Sequence, residues 1–230
     1  MFRITRHYSP PDYSTLQQIV AIVIADAESL SMAAVPASNP LSSIHDLVLA
    51  LEINAYIEAV GRNDELHSGL IVATDGSVPG RVMGFLVFQG LVNVPDGCGI
   101  NYMAVVACDR RKGVARAMVQ EVVNSYPHAT LTCPIAKVPF YEGLGFTVVG
   151  ARHNQVRMNT SGFSTSNIQN VLNAEAFLRH PQVVRAQQGL IQKHGPKVLR
   201  DAEKQIQREV SRASKRAEVY VQERLAAIQN

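Results

Sequence analysis

Apolar side chains recur along the first part of the chain with the spacing of strands and helices. Residues 2–6 alternate apolar and polar side chains, which is typical of a strand with one buried face. A helix then begins with Ser14 as its predicted N-cap and places an apolar side chain at every third or fourth position as far as Ala27. A small-residue, proline-rich segment predicts a loop over 31–40, and a second helix follows over 43–60.

The middle of the chain predicts further strands, separated by turns and one amphipathic helix. Apolar runs at 70–73 and 82–88 flank a segment rich in turn residues, which indicates a hairpin. The other predicted elements are a turn over 93–99, a central strand over 100–106, a helix from about Gly113 to Tyr126, a strand over 129–133 and a closing hairpin of 147–151 with 155–158. A further short helix is predicted between Pro134 and Gly145. Helices therefore follow the first, fourth and fifth strands, and this order predicts an α/β fold.

Beyond residue 160 the composition changes. Residues 160–166 are small and polar, as in a linker, and residues 178–224 hold eleven Lys or Arg against five Asp or Glu. A narrow apolar seam with helical spacing is formed by Leu199, Ala202, Ile206, Val210, Ala213, Ala217, Val221 and Ile228. Its alanines disfavour a lone coiled coil, so we expect this helix to pack on the first domain or on another subunit, which leaves a homodimer open. The predicted domains are 1–160 and 161–230.

Composition limits the class of protein. A chain of 230 residues with 47% hydrophobic content can bury a sizeable core, and its net charge of +3 does not by itself indicate a nucleic-acid partner. The cysteines are odd in number and widely spaced, and the histidines show no metal-ligand spacing, so we expect a reducing compartment and no metal site. The apolar run at 19–25 is too short to span a bilayer, and the first residues lack the core of a secretory signal. We therefore expect a cytoplasmic protein without a membrane partner.

A basic, glycine-containing turn joins the central strand to the helix that follows it. The first amides of a helix have no intrahelical partners, and the helix dipole favours negative charge beside them. Gly113 allows the backbone to approach a ligand closely, and Ala115 keeps the neighbouring position small. The cations around these amides are Arg110, Arg111, Lys112 and Arg116. This turn suits a diphosphate, although it is neither a dinucleotide fingerprint nor a P-loop.

Two motifs together resemble the GNAT superfamily of N-acetyltransferases. Arg110-x-x-Gly113-x-Ala115 after an apolar strand is similar to the acyl-CoA pyrophosphate loop of that family. Residues 138–146, Val-Pro-Phe-Tyr-Glu-Gly-Leu-Gly-Phe, are similar to its second motif, and the Cys-Pro pair before them resembles the arylalkylamine N-acetyltransferase branch. The resemblance implies a GNAT-type mixed, splayed central sheet with flanking helices, followed here by a helical, basic C-terminal extension.

The resemblance also implies an activity and its residues. The reaction would be acetyl transfer from acetyl-CoA to a primary amine by direct attack in a ternary complex, without a metal. The residues implied to bind the cosubstrate are Met103, Ala104 and Val105 through their backbone, the loop residues Arg110, Arg111, Lys112, Gly113, Val114, Ala115 and Arg116, and Tyr141. Tyr141 is also the implied catalytic residue, since a protonated phenol can supply the proton that the departing CoA thiolate needs. The acceptor amine is expected near residues 30–60.

The general base is left open. Gly99 and Asn101 stand where the arylalkylamine branch carries histidines, and Pro134 stands where many relatives carry an asparagine. The residues that remain as candidate bases, besides a water relay, are Glu52, His45, Asp96 and Tyr102.

Two other functions remain open beside the small-amine enzyme. The basic tail would suit an acetyltransferase that acts on a macromolecular amine, in a protein or a nucleic acid, because Lys and Arg side chains contact phosphates and other anions. The missing base is compatible with a non-catalytic acyl-CoA-binding regulatory protein. The identity of the acceptor and the oligomeric state are not determined by the sequence.

Overall fold

The computed structural model describes residues 1–62, 67–92, 94–162 and 172–229, which form a seven-stranded mixed sheet in the order β1-β2-β3-β4-β5-β7-β6, with helices on both faces. The strands are β1 (Phe2–His7), β2 (Ser68–Asp75), β3 (Val82–Leu91), β4 (Val94–Val105), β5 (His128–Cys133), β6 (Thr147–Arg152) and β7 (Gln155–Asn159). The helices are α1 (Tyr13–Ala25), α2 (Ala27–Leu30), α3 (Ser42–Glu58), α4 (Val114–Ser125), α5 (Val138–Glu142), α6 (Ala174–Leu178) and α7 (Pro181–Gln229). The predicted α/β class, with flanking helices and a helical C-terminal extension, is confirmed.

The sheet separates two apolar cores. Alternate side chains of β3 face opposite sides, so that Phe85 packs with α1 and α3 while Phe88 packs with α4. Both faces of β3 are covered, and Phe85, Leu86 and Val87 are all fully buried. This explains why β3 is a continuous apolar run in the sequence instead of an alternating one.

The N-cap of the first helix lies two residues before the predicted one. Asp12, and not Ser14, is the N-cap of α1, and its carboxylate accepts a hydrogen bond from the Thr15 amide at 3.0 Å. The same carboxylate accepts a second hydrogen bond, from the Thr15 hydroxyl, at 2.7 Å. Both residue types cap helices well, but the negative charge of Asp12 also interacts favourably with the helix dipole.

The predicted turn over 93–99 is wrong for the residues that the structure describes, because β4 begins at Val94. Residues Gly97 to Ile100 pair with β5, and Cys98 to Ile100 pair also with β3. A side chain at Gly97 would meet Val94 Cγ1 at 2.7 Å and Leu91 Cδ1 at 2.9 Å. Glycine is therefore present here because the strand has no room for a side chain, and not because the chain turns.

The C-terminal extension folds back onto the sheet. In α7 the seam residues Ala202, Ile206, Ala217 and Val221 are buried, whereas the side chain of Ile228 lies outside the described part, as do residues 163–166 of the predicted linker. Val221 shares the core of β6 and α5, and Arg224 forms an ion pair with Glu142. The helix is kinked at Gly195, where φ is 78° and Pro196 follows. The boundary between the two predicted domains stays a prediction.

Candidate active site

The centre of the sheet opens between β4 and β5. These strands run parallel and pair only from Gly97–His128 to Ile100–Leu131, whereas β4 continues to Val105 with β3 alone beside it. The Val106 amide donates to the Met83 carbonyl of β3 at 2.8 Å. Because alternate residues of a strand point their backbone groups to the same neighbour, Ala104 also faces β3, while Met103 and Val105 face the open edge.

Side-chain packing and backbone exposure coexist on this edge. Ala104 and Val105 are buried, on the α3 face and the α4 face of the sheet respectively, and Met103 is partly buried beside Val105. The Val105 carbonyl accepts a hydrogen bond from Arg110 Nε at 3.1 Å. An extended ligand arm could therefore lie along the open edge as an additional strand.

The loop after β4 adopts the backbone conformation of an anion-binding turn. Arg111 has φ of 64° and Gly113 has φ of 84°, so two residues near the start of α4 are in the left-handed region. For Arg111 this conformation costs roughly 1–2 kcal/mol, and such strain is concentrated at functional sites. No side chain caps α4, and its first turn contains no acidic residue. Its first amides, with Val114 buried beneath them, are therefore available to an anion.

The four predicted cations differ in their surroundings. Arg110 pairs with Asp26 at 2.9 Å, Lys112 pairs with Asp109 at 2.8 Å, and Arg116 Nη1 donates to the Gly143 carbonyl at 3.0 Å. Among the described residues Arg111 has no ion pair, and its side chain is exposed. Three cations thus hold the loop to the protein. Their contact with a ligand remains a prediction.

A buried carboxylate anchors the loop from below. Asp109 is 1% exposed and binds both Lys112 and Arg81, and Arg81 also pairs with Asp75 at 2.8 Å. The Lys112 and Arg81 donors hold the pKa of Asp109 below its ordinary value. Sequence reasoning missed Arg81 and Asp109, because they belong to no motif and Arg81 lies 28 residues earlier in the chain, directly before β3.

Tyr141 lies in α5 with its ring between two aromatic neighbours. It is 9% exposed, and its centroid is 5.0 Å from that of Phe140 and 5.8 Å from that of Phe146, both in edge-on contacts. Burial, with a smaller contribution from the nearby Cys133 thiol, raises the pKa of its phenol. No described residue hydrogen-bonds its hydroxyl. The Tyr141 hydroxyl is therefore protonated at neutral pH and is available as a hydrogen-bond donor.

The link from Arg116 to Gly143 joins the two motifs. Gly143 is the C-cap of α5, so the Arg116 guanidinium lies at the C-terminal end of the helix that carries Tyr141. A cation is favourable at that end of a helix dipole. The contact fixes the start of α4 relative to Tyr141.

A polar cluster lies on the α3 side of β4. Tyr102 Oη donates to Glu52 Oε1 at 2.8 Å, and the Tyr56 and Tyr102 ring centroids are 6.2 Å apart. The Leu172 amide donates to Tyr56 Oη at 2.9 Å, so the start of the C-terminal extension contacts this cluster. Of the four candidate bases, the structure brings Glu52 and Tyr102 together, whereas Asp96 is exposed near the start of β4.

The two buried cysteines supply no nucleophile to this site, and the described residues form no metal cluster. Cys98 and Cys133 are buried, and burial raises the pKa of each thiol to about 12, so neither is a thiolate nucleophile. Within the described residues no three His, Cys, Asp or Glu side chains group as metal ligands. In the same part of the chain no helix combines the length and apolarity needed to cross a bilayer.

Solved structures with the same fold include acetyltransferases. The PaiA N-acetyltransferase of Thermoplasma acidophilum, solved in complex with coenzyme A, aligns with a TM-score of 0.54 and 12% identity over 69% of this chain and 98% of that protein. A Corynebacterium glutamicum protein, described as histone acetyltransferase HPA2 and related acetyltransferase, aligns with a TM-score of 0.50 and 15% identity over 68% and 95%. No protein-family model matches the chain, and no curated protein matches its sequence. The described chain therefore has the fold of the GNAT acetyltransferases.

Proposed function

We propose that this protein is an acetyl-CoA-dependent N-acetyltransferase that transfers the acetyl group to a primary amine by direct attack in a ternary complex. The observation that carries the proposal is that the open edge of β4 leads directly into the uncapped N-terminus of α4. An extended arm followed by a diphosphate needs these two features in this order. The coenzyme A complex of the Thermoplasma acidophilum protein with the same fold supports the assignment.

Each residue of the proposed cosubstrate site has a role that follows from its geometry. The backbone groups of Met103 and Val105 face the open edge and would bind the amide groups of the pantetheine arm. The amides from Gly113 to Arg116 and the unpaired guanidinium of Arg111 would bind the diphosphate. Tyr141 would donate its proton to the sulfur as the thiolate leaves, because its raised pKa keeps the phenol protonated.

Calorimetry and thiol release test the proposal together. We expect the wild-type protein to bind acetyl-CoA, and to bind S-acetylpantetheine, which lacks the diphosphate, at least ten times more weakly. We also expect free thiol to appear when acetyl-CoA is mixed with a panel of primary amines, and not with the matching alcohols. Absence of acetyl-CoA binding would refute the proposed site. Binding without thiol release from any amine would favour the non-catalytic acyl-CoA-binding protein.

A second candidate function is acetylation of an amine in a nucleic acid that the C-terminal extension recruits. Between residues 197 and 215 of α7 the exposed cations are Lys197, Arg200, Lys204, Arg208, Arg212 and Lys215, against the exposed acids Asp201, Glu203 and Glu209. Lys197, Lys204, Arg208 and Lys215 recur at intervals of seven and four, so they line one side of the helix for about 27 Å. The buried seam lies on the opposite side, which leaves this basic stripe facing solvent.

Charge reversal on the basic stripe tests the second candidate. We expect the wild-type protein to bind a 20-base-pair duplex with an affinity that falls at least tenfold between 50 and 200 mM salt. Changing Lys204, Arg208 and Lys215 to Glu should weaken this binding at least tenfold without altering acetyl transfer to small amines. The control changes Arg179 and Arg185, which lie before the stripe. If anisotropy shows no wild-type binding at 50 mM salt, the candidate is wrong.

A further inference from the structure

We propose that Glu52 is the general base for the acceptor amine and that Tyr102 is the residue that positions its carboxylate. The inference rests on the proposed function, because it assigns a residue to the deprotonation step of that reaction. A primary alkylamine has a pKa of about 10 and is an ammonium ion at neutral pH. Its nitrogen must lose a proton before it can attack a thioester, so a proton acceptor is needed beside the open part of the sheet.

The backbone of β4 directs Tyr102 towards α3 at the point where the sheet opens. Val87 of β3 pairs with Tyr102 and Phe88 pairs with Ile100, so Asn101 is an extra residue that forms a β-bulge. Ile100 is also the last residue of β4 that pairs with β5. Directly after the bulge, Tyr102 packs into the core of α1 and α3 and donates its hydrogen bond to Glu52. The two residues therefore lie beside the start of the proposed pantetheine edge.

Glu52 is a partly buried carboxylate without a cation. Among the described residues it forms no ion pair, whereas Asp26, Asp109 and Glu142 each pair with Arg or Lys. Burial raises the pKa of Glu52, and the hydrogen bond from Tyr102 partly offsets that rise. Removing a carboxylate from water without a counterion costs free energy of folding. A bound ammonium group would supply the missing charge and would place its proton against the carboxylate.

The neighbours of Glu52 suit a cationic group. Tyr56 on α3 and Tyr102 on β4 are the titratable groups that act on Glu52, and their rings are inclined at 48° to each other. Burial raises the pKa of both phenols, so they remain neutral, and Glu52 supplies the carboxyl group of the cluster. The faces of tyrosine rings attract ammonium ions. The cluster thus provides one proton acceptor within a neutral aromatic wall.

The other candidate bases lack this combination. His45 lies near the start of α3, and the carboxylates of Asp46 and Glu203 are close to it. Asp96 is exposed on the part of β4 that precedes the pairing with β5.

The proposed proton transfers balance. Glu52 takes one proton from R–NH₃⁺, and the freed nitrogen attacks the thioester carbonyl to form the new C–N bond. The C–S bond breaks, the thiolate takes a proton from Tyr141, and the phenolate is neutralised by the second proton that the nitrogen releases. Glu52 passes its proton to water. The products are an amide, the thiol of CoA and one proton.

The pH dependence of turnover by Glu52→Gln tests this role, with hexylamine, 2-phenylethylamine and a lysine-containing tetrapeptide as acceptors. We expect kcat/KM for the amine to fall about 100-fold or more at pH 7, with the affinity for acetyl-CoA unchanged. The variant should recover as the pH rises towards the pKa of the amine, because the substrate then deprotonates without a base. The control is Glu58→Gln, which removes the charge of an exposed carboxylate on the same helix.

Tyr102→Phe tests the positioning role through a different readout. It removes a hydrogen bond that lowers the pKa of Glu52, so the acidic limb of the rate profile should move to higher pH instead of disappearing.

Glu52→Gln should also keep or raise the melting temperature at pH 7. A carboxyl whose folded pKa is raised makes the native state less stable as pH rises through that pKa. A decrease in melting temperature would indicate a structural role and would contradict the inference.

The outcomes separate this inference from the proposed function. Suppose that the wild-type protein turns over an amine. If the rate of Glu52→Gln is then within threefold of the wild-type rate, or if high pH does not restore the rate that the variant has lost, the role of Glu52 is refuted and the proposed function is not. Absence of wild-type turnover with every amine would refute the proposed function, and this inference with it. Recovery at high pH by Glu52→Gln, with Glu58→Gln unchanged throughout, is the result that we expect.

Discussion

Replacing Tyr141 by phenylalanine is expected to lower kcat for acetyl transfer about 100-fold, with the KM for acetyl-CoA little changed. The phenol is the proposed proton donor for the departing sulfur, and the substitution removes its hydroxyl while keeping the ring. No described residue hydrogen-bonds that hydroxyl, so its loss leaves no buried partner unsatisfied and should not destabilise the fold. Steady-state kinetics with saturating amine and a thermal melt measure both effects.

The pH profile and a matched control make the Tyr141 test specific. Because burial raises the pKa of this phenol, wild-type activity should show no loss from its ionisation up to about pH 10, the ordinary pKa of a tyrosine. The control is Tyr8→Phe, since Tyr8 is 77% exposed and lies on the opposite end of the sheet order, near β1. Equal kcat values for Tyr141→Phe and the wild type would remove Tyr141 from the mechanism and leave the cosubstrate site intact.

The fold was predictable where the sequence carries a local pattern. The apolar run of β3, the stripe of α4 and the Gly-Leu-Gly-Phe that follows Tyr141 each fix a strand, a helix or a turn through neighbouring residues alone. The two motifs also identified the strand β4, beside which the sheet opens, and the helix α4 that follows it. The wrong turn over 93–99 shows the limit of such patterns. Gly97 is favoured equally by a turn and by a strand that meets Leu91 and Val94 closely, and only tertiary contacts distinguish the two.

The candidate site was predictable only in part, because several of its contacts join distant segments. Glu52 and Tyr102 lie 50 residues apart in sequence, and neither belongs to a motif. Their contact depends on the bulge at Asn101, which no composition or periodicity predicts. Arg81 and Asp109 are likewise brought together by the pairing of β3 with β4. Side-chain chemistry could nominate Glu52 as a base, but its burial and its missing counterion are properties of the folded chain.

In the loop at the start of α4, too, the sequence predicts the residue types and only the folded chain shows their contacts. Sequence reasoning placed four cations around an anion, but folding assigns Arg110, Lys112 and Arg116 to acceptors within the protein. These contacts hold the backbone of Arg111 and Gly113 in the left-handed region without a ligand. The site is therefore preorganised by its own side chains, and the amides and the unpaired Arg111 remain for an anion. This argues that the backbone conformation, more than the number of cations, determines affinity for a diphosphate.

Replacing Gly113 by alanine is expected to weaken acetyl-CoA binding tenfold or more. A side chain at φ of 84° is strained by roughly 1–2 kcal/mol, which favours a free loop that leaves the binding conformation, and a loss of about 1.4 kcal/mol in binding is a factor of ten. A Cβ at Gly113 meets no atom of the protein within 4 Å, so it would project into the space where the diphosphate approaches the amides. Calorimetry with acetyl-CoA and with S-acetylpantetheine measures the loss, which should be confined to the ligand that carries the diphosphate.

The control for Gly113→Ala is Gly80→Ala in the turn between β2 and β3. Gly80 has φ of 74° and also has no atom within 4 Å of an added Cβ, so both variants should lose a similar amount of folding stability. Only Gly113→Ala should lose affinity for acetyl-CoA, because only its loop is proposed to contact the diphosphate. If the two variants bind acetyl-CoA equally well while their melting temperatures fall together, the loop serves the fold alone and the diphosphate binds elsewhere.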